Sequence, residues 1–156
     1  MIIAAAGLSV LAGGWAFAQQ HGHAGHQPPA KASADTRELV MFPPELREHT
    51  LTNMRDQLFA LQEIQEALAR GENDKAAKIA EERLGMSSLK LHGAHEVAQY
   101  MPKGMQDIGS EMHRSASRFA IEAQNAGVTG ELKPALAALA NMTSQCVGCH
   151  AGYRLK

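Results

Sequence analysis

The sequence predicts an all-α fold, an antiparallel four-helix bundle. Aromatic residues make up only 4% of the 156 residues, which is too few for the usual composition of a β-rich protein. Ala, Leu, Glu, Gln, Lys and Met dominate instead, and these residues favour helices. No stretch sustains the apolar–polar alternation of a strand, so we expect no sheet. Four amphipathic segments joined by short turns make the antiparallel bundle the most economical arrangement.

The first two predicted helices show apolar residues at steps of three and four. The first runs from about residue 45 to 70, before Gly71, which stands where a left-handed C-terminal cap belongs. The second runs from about residue 73 to 91, although Gly85 and Gly93 weaken it. The expected core-facing residues are Leu51, Met54, Leu58, Leu61 and Leu68 in the first helix, and Ala76, Ile79, Ala80 and Leu84 in the second.

The last two predicted helices are separated by Gly127 and Gly130. The third runs from about residue 107 to 125, and the fourth starts near Glu131, with Pro134 tolerated in its first turn. Apolar residues of the fourth helix recur at alternating steps of four and three, as in a coiled-coil seam. The expected stripes are Ile108, Met112, Ala116, Phe119 and Ala123 in the third helix, and Leu132, Leu136, Leu139, Thr143, Cys146, His150 and Tyr153 in the fourth.

The N-terminal residues 1–18 are predicted to be a signal peptide. Residues 2–18 are apolar or small and carry no charge, and Ala16-Phe17-Ala18 fits a small-residue cleavage site before Gln19. No Lys or Arg precedes the apolar run, which departs from the usual pattern. The alternative is an uncleaved membrane anchor, which usually needs about 20 apolar residues. On the signal-peptide interpretation, we expect export to the periplasm.

Residues 19–40 are predicted to be a flexible leader, because their Pro- and Gly-containing polar sequence has too little apolar surface to fold alone. His21, His23 and His26 lie inside this leader, within a span of six residues. They form either a weak copper, nickel or zinc site or a solvated linker, and the sequence leaves their role open. We expect the folded domain to span residues 41–156.

The motif that carries the chemistry is Cys146-Val147-Gly148-Cys149-His150, which matches the Cys-x-x-Cys-His pattern of haem attachment. Two thiols three positions apart reach the two vinyl groups on one edge of the porphyrin, and the next imidazole then meets the iron. The motif predicts one covalent haem c, held by Cys146 and Cys149, with His150 as the axial iron ligand. The haem would complete the core near the C-terminal helix.

Other uses of this cysteine pair are less consistent with the sequence. A thioredoxin-like motif belongs to a βαβ context, which is absent. A structural zinc site needs four ligands, and the chain has no second cysteine pair. A plain disulfide remains open for an exported protein, but it leaves the following His150 unexplained.

The position of the haem motif at the end of a helical bundle resembles the cytochrome c′ family, the class II c-type cytochromes. The resemblance covers roughly residues 40–156 and is strongest in the run CVGCHAGYRLK. Family members carry an aromatic and then a basic residue after the haem histidine, and Tyr153 and Arg154 match these places. The resemblance implies that Arg154 lies over the proximal haem face. A basic residue is equally consistent with stabilisation of a helix C-terminus by its dipole.

The resemblance assigns the opposite face of the haem to the first helix. It implies that Arg47 contacts a haem propionate and that Leu51, four positions later, lies over the distal face. An apolar distal residue leaves the iron five-coordinate, as in family members that take up nitric oxide or carbon monoxide. Met54 lies three residues further along the same face. It is either a sixth ligand suited to electron transfer or a flexible core residue.

Four more histidines lie outside the motif. His92 and His95 stand three apart, and His113 is on the third helix. They are either a metal site or, by default, exposed or capping side chains. No second attachment motif exists in the chain, which excludes a second c-type haem. His49 is expected to face solvent.

The sequence as a whole predicts a periplasmic electron carrier that docks with redox partner proteins. A formal net charge of −1 does not point to nucleic acid or an anionic membrane. No paired carboxylates, nucleophile–base set or substrate motif stands out, so we expect no enzymatic activity. The alternative is a five-coordinate protein that binds nitric oxide or carbon monoxide. Family members include dimers built on the first two helices, so a homodimer is one expected assembly.

Overall fold

The computed structural model describes residues 34–156, and the described chain is an all-α protein of packed helices, as predicted. The predicted signal peptide, most of the leader, and His21, His23 and His26 lie outside the described residues. Within residues 34–156 no helix is long and apolar enough to cross a membrane. The elements are β1 (Glu38–Val40), α1 (Pro44–Ala69), α2 (Asn73–Arg83), a single 3-10 turn (Met86–Ser88), α3 (Ala94–Ala98), α4 (Lys103–Thr129), α5 (Leu132–Gly152) and β2 (Tyr153–Leu155).

The ends of the long helices follow local rules that the sequence carries. Pro43 and Pro44 start α1, where proline loses no helical hydrogen bond. Gly71, with φ +73°, turns the chain away after α1, and Gly130, with φ +77°, does the same after α4. Both glycines adopt the left-handed conformation that residues with a β-carbon avoid. Pro102 likewise precedes α4, which begins at Lys103 and not near residue 107 as expected.

The second helix is shorter than predicted, because it ends at Arg83 and not near residue 91. The backbone N–H of Gly85 donates to the carbonyl of Ala80 at 2.7 Å, which closes the helix. A β-carbon at Gly85 would overlap the side chain of Glu81. Gly93, with φ +59°, then reverses the chain into the short helix α3. The two glycines therefore break the helix that the apolar spacing alone had extended.

The main core lies between α1, α2, α4 and α5. The apolar stripes predicted for α2 and α4 face it, except Ile108, which is half-buried outside the cluster. The stripe predicted for α1 is partly wrong, because Leu58 is 70% exposed while Ile64 is fully buried. The α5 seam is also partly wrong, since Leu132 and Leu136 are exposed. Much of the core consists of alanines, whose small side chains let helices approach closely. The predicted stripes already contained Ala76, Ala80, Ala116 and Ala123. The core alanines that they did not contain are Ala60, Ala67, Ala77, Ala120, Ala126 and Ala135.

A two-stranded parallel sheet, which the sequence did not predict, joins the two ends of the described chain. Glu38 lies opposite Tyr153 and Val40 opposite Leu155. The backbone N–H of Lys156 also donates to the carbonyl of Val40 at 3.1 Å. The compact unit consequently begins at Asp35, within the predicted leader. Strands of three residues show no detectable alternation, and their pairing depends on contacts far apart in sequence.

A second, smaller core lies beside this sheet. Val40, Phe42 and Met105 are buried in it together with Val97 of α3. Cys149 at the end of α5 packs against the same cluster. The smaller core therefore ties β1 and the start of α4 to the end of the helix that carries the cysteine motif.

Candidate functional site

A cavity of about 310 Å³ brings together residues from both ends of the described chain and from α1 and α4. Every site residue predicted from the sequence lies in its lining, except Cys146. The lining residues are Arg37, Arg47, Leu51, Met54, Met105, Cys149, His150, Tyr153, Arg154 and Leu155. The cavity thus combines a thiol, an imidazole, two thioethers, three guanidinium groups and an apolar wall.

The cysteine motif occupies the last two turns of α5. Cys146, Cys149 and His150 stand at i, i+3 and i+4, so all three share one face of the helix. Both thiols are half-buried and free of a disulfide. Cys146 packs against the main core, with its Sγ 4.0 Å from the carbonyl of Met142, whereas Cys149 packs against the smaller core. The two thiols therefore lie where the two cores meet.

The environment of the two thiols disfavours the thiolate form. Burial raises the pKa of Cys146. Burial also raises the pKa of Cys149, and the neighbouring Cys146 adds to this shift. The motif sits at the C-terminal end of α5, where the helix dipole is negative. Redox-active Cys-x-x-Cys thiols have a lowered pKa and are often found at helix N-termini, so the arrangement is unlike that of a thiol–disulfide oxidoreductase.

Helix α1 contributes one wall of the cavity through Arg47, Leu51 and Met54. These residues are spaced by four and three, so they lie on one face of the helix, and each is half-buried. Both rival distal residues, Leu51 and Met54, therefore line the same cavity as His150. His49 is exposed as expected and lies outside the lining, with its Nε2 3.2 Å from the carbonyl of His92.

The cavity carries a net positive charge. Arg37, Arg47 and Arg154 line it, and no carboxylate does. Asp35 lies outside the lining, where it binds Arg37 and approaches Nε of Arg154 at 3.5 Å. The hydrogen bond from Arg37 lowers the pKa of Asp35 to about 2. The lining is thus suited to a ligand with an apolar body and more than one acidic group.

Three lining residues, Arg37, Met105 and Leu155, were not singled out from the sequence. Leu155 lies in β2, opposite Val40. Arg37 lies in the segment interpreted as a flexible leader, and only its pairing through β1 places it at the cavity. Met105 precedes Ile108 by three residues, so it extends the apolar stripe of the third helix by one turn. Pro102 was the available signal, because a helix that starts directly after it, as α4 does, includes Met105.

His92 and His113 are buried, at 6% and 8% exposure, and so correct the expectation of exposed or capping side chains. Their rings stand edge to face with centroids 5.7 Å apart. His113 Nδ1 lies 2.7 Å from the carbonyl of Leu84, and His92 Nδ1 lies 2.8 Å from the amide of Gln57. Among residues 34–156 no group of three or more His, Cys, Asp or Glu side chains could hold a metal ion. The pair is part of the packing between α1, α4 and the loop after α2.

Comparisons of the chain with family models, curated proteins and solved structures find no match. The case for its function therefore depends on the chemistry of the cavity and of the cysteine motif.

Proposed function

We propose that the protein is an exported mono-haem c-type cytochrome that transfers electrons, with α1, α2, α4 and α5 as the antiparallel four-helix bundle of the cytochrome c′ class. The observation that carries this proposal is the position of Cys149 and His150 in one cavity with an apolar wall and three arginines. Two residues of the Cys-x-x-Cys-His motif, Cys149 and His150, line this cavity, while Cys146 packs against the main core beside it.

The residues present fit a haem. The cavity volume of about 310 Å³ falls at the lower end of the range of cofactor pockets, about 300–1,000 Å³. Cys146 and Cys149 lie on the same face of α5, as two thioether bonds to one porphyrin edge require. His150 would supply the imidazole ligand of the iron. When bound, the haem supplies a one-electron iron centre whose potential depends on its axial ligands and burial.

The remaining lining residues would hold the cofactor and tune its redox potential. Arg47 and Arg154 would provide positive charge for the acidic groups of the haem, and the family resemblance implies that Arg154 would lie near its proximal face. Leu51 and Met54 line the cavity from α1 and would face the haem from that side. A thioether from Met54 would raise the potential and suit exchange of electrons with a redox partner protein in the periplasm.

Binding of nitric oxide or carbon monoxide is the second candidate function. The observation that favours it is the presence of Leu51 in the cavity lining, half-buried beside Met54. If Leu51 covers the iron and Met54 only packs, the iron is five-coordinate and open to small gases. The two candidates share the haem and differ only in the distal residue.

The decisive experiment is expression of the full chain in a bacterial periplasm together with a c-type haem attachment system. We expect a product that is heavier by one haem after denaturation and whose pyridine haemochrome spectrum reports two thioether bonds. Cys149→Ala should leave a spectrum of one thioether bond, and Ser144→Ala, at an exposed site on the same helix, should change nothing. A disulfide-bonded product without haem, under conditions that load a control cytochrome, would reject the proposal.

A further inference from the structure

We propose that Arg37 is a further cofactor-contacting residue, whose guanidinium pairs with an acidic side group of the haem. The inference rests on the proposed function, since it concerns the same cavity. Arg37 precedes the stretch that resembles the cytochrome c′ family, so the resemblance assigns it no role. Its position depends on the strand pairing between β1 and β2.

The strand register brings Arg37 to the end of α5. Glu38 lies opposite Tyr153, so the preceding residue, Arg37, lies beside the last turn of the helix. Its Nη1 is 3.5 Å from the carbonyl oxygen of His150. This distance exceeds the usual range of about 2.7–3.2 Å for such hydrogen bonds. The contact is therefore weak, and Nη1 is available to a stronger acceptor.

Asp35 holds the guanidinium in this orientation. Its two carboxylate oxygens accept from Nε of Arg37 at 2.9 Å and from Nη2 at 2.7 Å. A guanidinium presents its donors in a rigid planar fork, so fixing one edge also fixes the other. The edge that carries Nη1 then points toward His150, which itself lines the cavity.

The cavity has an excess of positive charge that only more than one anion would neutralise. Asp35 serves both Arg37 and Arg154, yet Nε of Arg154 is buried and forms no hydrogen bond. Within the described part of the chain, Arg47 forms no ion pair. One carboxylate therefore stands against three guanidinium groups. A haem carries two propionates, which would compensate for this excess, and Arg37 and Arg47 reach the cavity from different chain segments.

The test uses the full-length holoprotein with Arg37→Gln, Arg37→Lys and a matched control, Arg70→Gln. Arg70 follows the far end of α1 and pairs with Glu66 on the surface. The resonance Raman band of propionate bending reports hydrogen bonding to the propionates. We expect this band to shift in Arg37→Gln, to recover at least in part in Arg37→Lys, and to stay unchanged in Arg70→Gln.

The redox midpoint potential gives a second readout, because two substitutions should shift it in opposite directions. Removing the positive charge of Arg37 favours ferric haem, so Arg37→Gln should lower the potential, whereas Asp35→Asn should raise it. Covalent haem with an unshifted propionate band in Arg37→Gln would overturn this inference and leave the proposed function standing. A wild-type chain that takes up no haem would overturn both.

Discussion

The hydroxyl of Tyr153 lies directly against Gly104, at a point where any β-carbon would overlap it. Gly104 is in the first turn of α4, and Tyr153 is the first residue after α5. This contact lets the aromatic ring lie between the smaller core and the cavity. A glycine in a helix costs about 1 kcal/mol relative to alanine, so its presence here is explained by the close approach of the tyrosine.

Gly104→Ala should therefore displace Tyr153. We expect the free energy of unfolding to fall by about 1–3 kcal/mol from overpacking, less the gain of about 1 kcal/mol in helix propensity. Gly109→Ala is the control, because that site in the same helix has open space around it, and it should be neutral or stabilising. In a Tyr153→Phe background the loss at Gly104 should largely disappear. Urea unfolding of the wild type, the two single variants and the double variant measures this coupling. If the losses in free energy of unfolding were additive, the contact would be contradicted.

Met54→Leu tests which residue would cover the distal face of the proposed haem. If Met54 is the sixth ligand, the variant should change a low-spin ferrous spectrum into a high-spin one that responds to carbon monoxide. It should also remove a far-red sulfur-to-iron charge-transfer band. Met105→Leu is the control, since it exchanges the other thioether of the cavity. A spectrum unchanged by Met54→Leu would place Met54 in the packing and favour the gas-binding function.

The buried histidine pair predicts that stability falls in mild acid. Burial lowers the pKa of His92, with a further contribution from His113, and burial also lowers the pKa of His113. Below the unfolded pKa of about 6.5 the unfolded chain binds protons that the folded chain does not. The free energy of unfolding should hence be constant above about pH 7 and fall as the pH drops below 6.5.

The upper limit of this fall is about 1.4 kcal/mol per pH unit for each histidine. Urea titrations between pH 7.5 and pH 5 measure it directly. His92→Gln should flatten the pH dependence, while His95→Gln, at an exposed site, should not. An equal slope in His92→Gln and wild type would show that other groups cause the effect.

Phe119→Ala should be among the most destabilising core substitutions. Its side chain is fully buried between the helices, and removing such a ring costs about 3–5 kcal/mol through lost burial and the cavity left behind. Phe59→Ala removes the same ring from the surface, where Arg83 stacks on it. The surface change should cost less than about 1 kcal/mol. If chemical denaturation gave equal losses in free energy of unfolding for the two variants, the burial of Phe119 in the core would be contradicted.

Cys146→Ala should impair folding as well as haem attachment. Cys146 packs against the main core, and we expect the haem to complete that core. Far-ultraviolet circular dichroism should show reduced helix content, and thermal unfolding should begin at a lower temperature than in the wild type. Val147→Ala, at an exposed neighbouring position, serves as the control. A stable, haem-free Cys146→Ala protein with full helix content would contradict this prediction.

Both ends of α1 and the starts of α2 and α5 were predictable, because proline and glycine act within a few residues of themselves, whereas the end of α2 and both ends of α4 were not. Gly71 and Gly130 end α1 and α4 by adopting a conformation that is strained for other residues. The buried face of α1 was less predictable, because Leu58 and Ile64 are similar in hydropathy and only the neighbouring helices distinguish them. Periodicity gives a helix several candidate faces, and packing selects one of them.

What the sequence by itself determined is the grouping of Cys146, Cys149 and His150 on one helix face, which follows from the 3.6-residue period of the helix. What only the tertiary structure decided is which residues meet that face. Arg37 and Met105 reach the cavity through β1–β2 pairing and the start of α4. Such contacts join residues far apart in the chain, and their free energy depends on the packing of the whole domain.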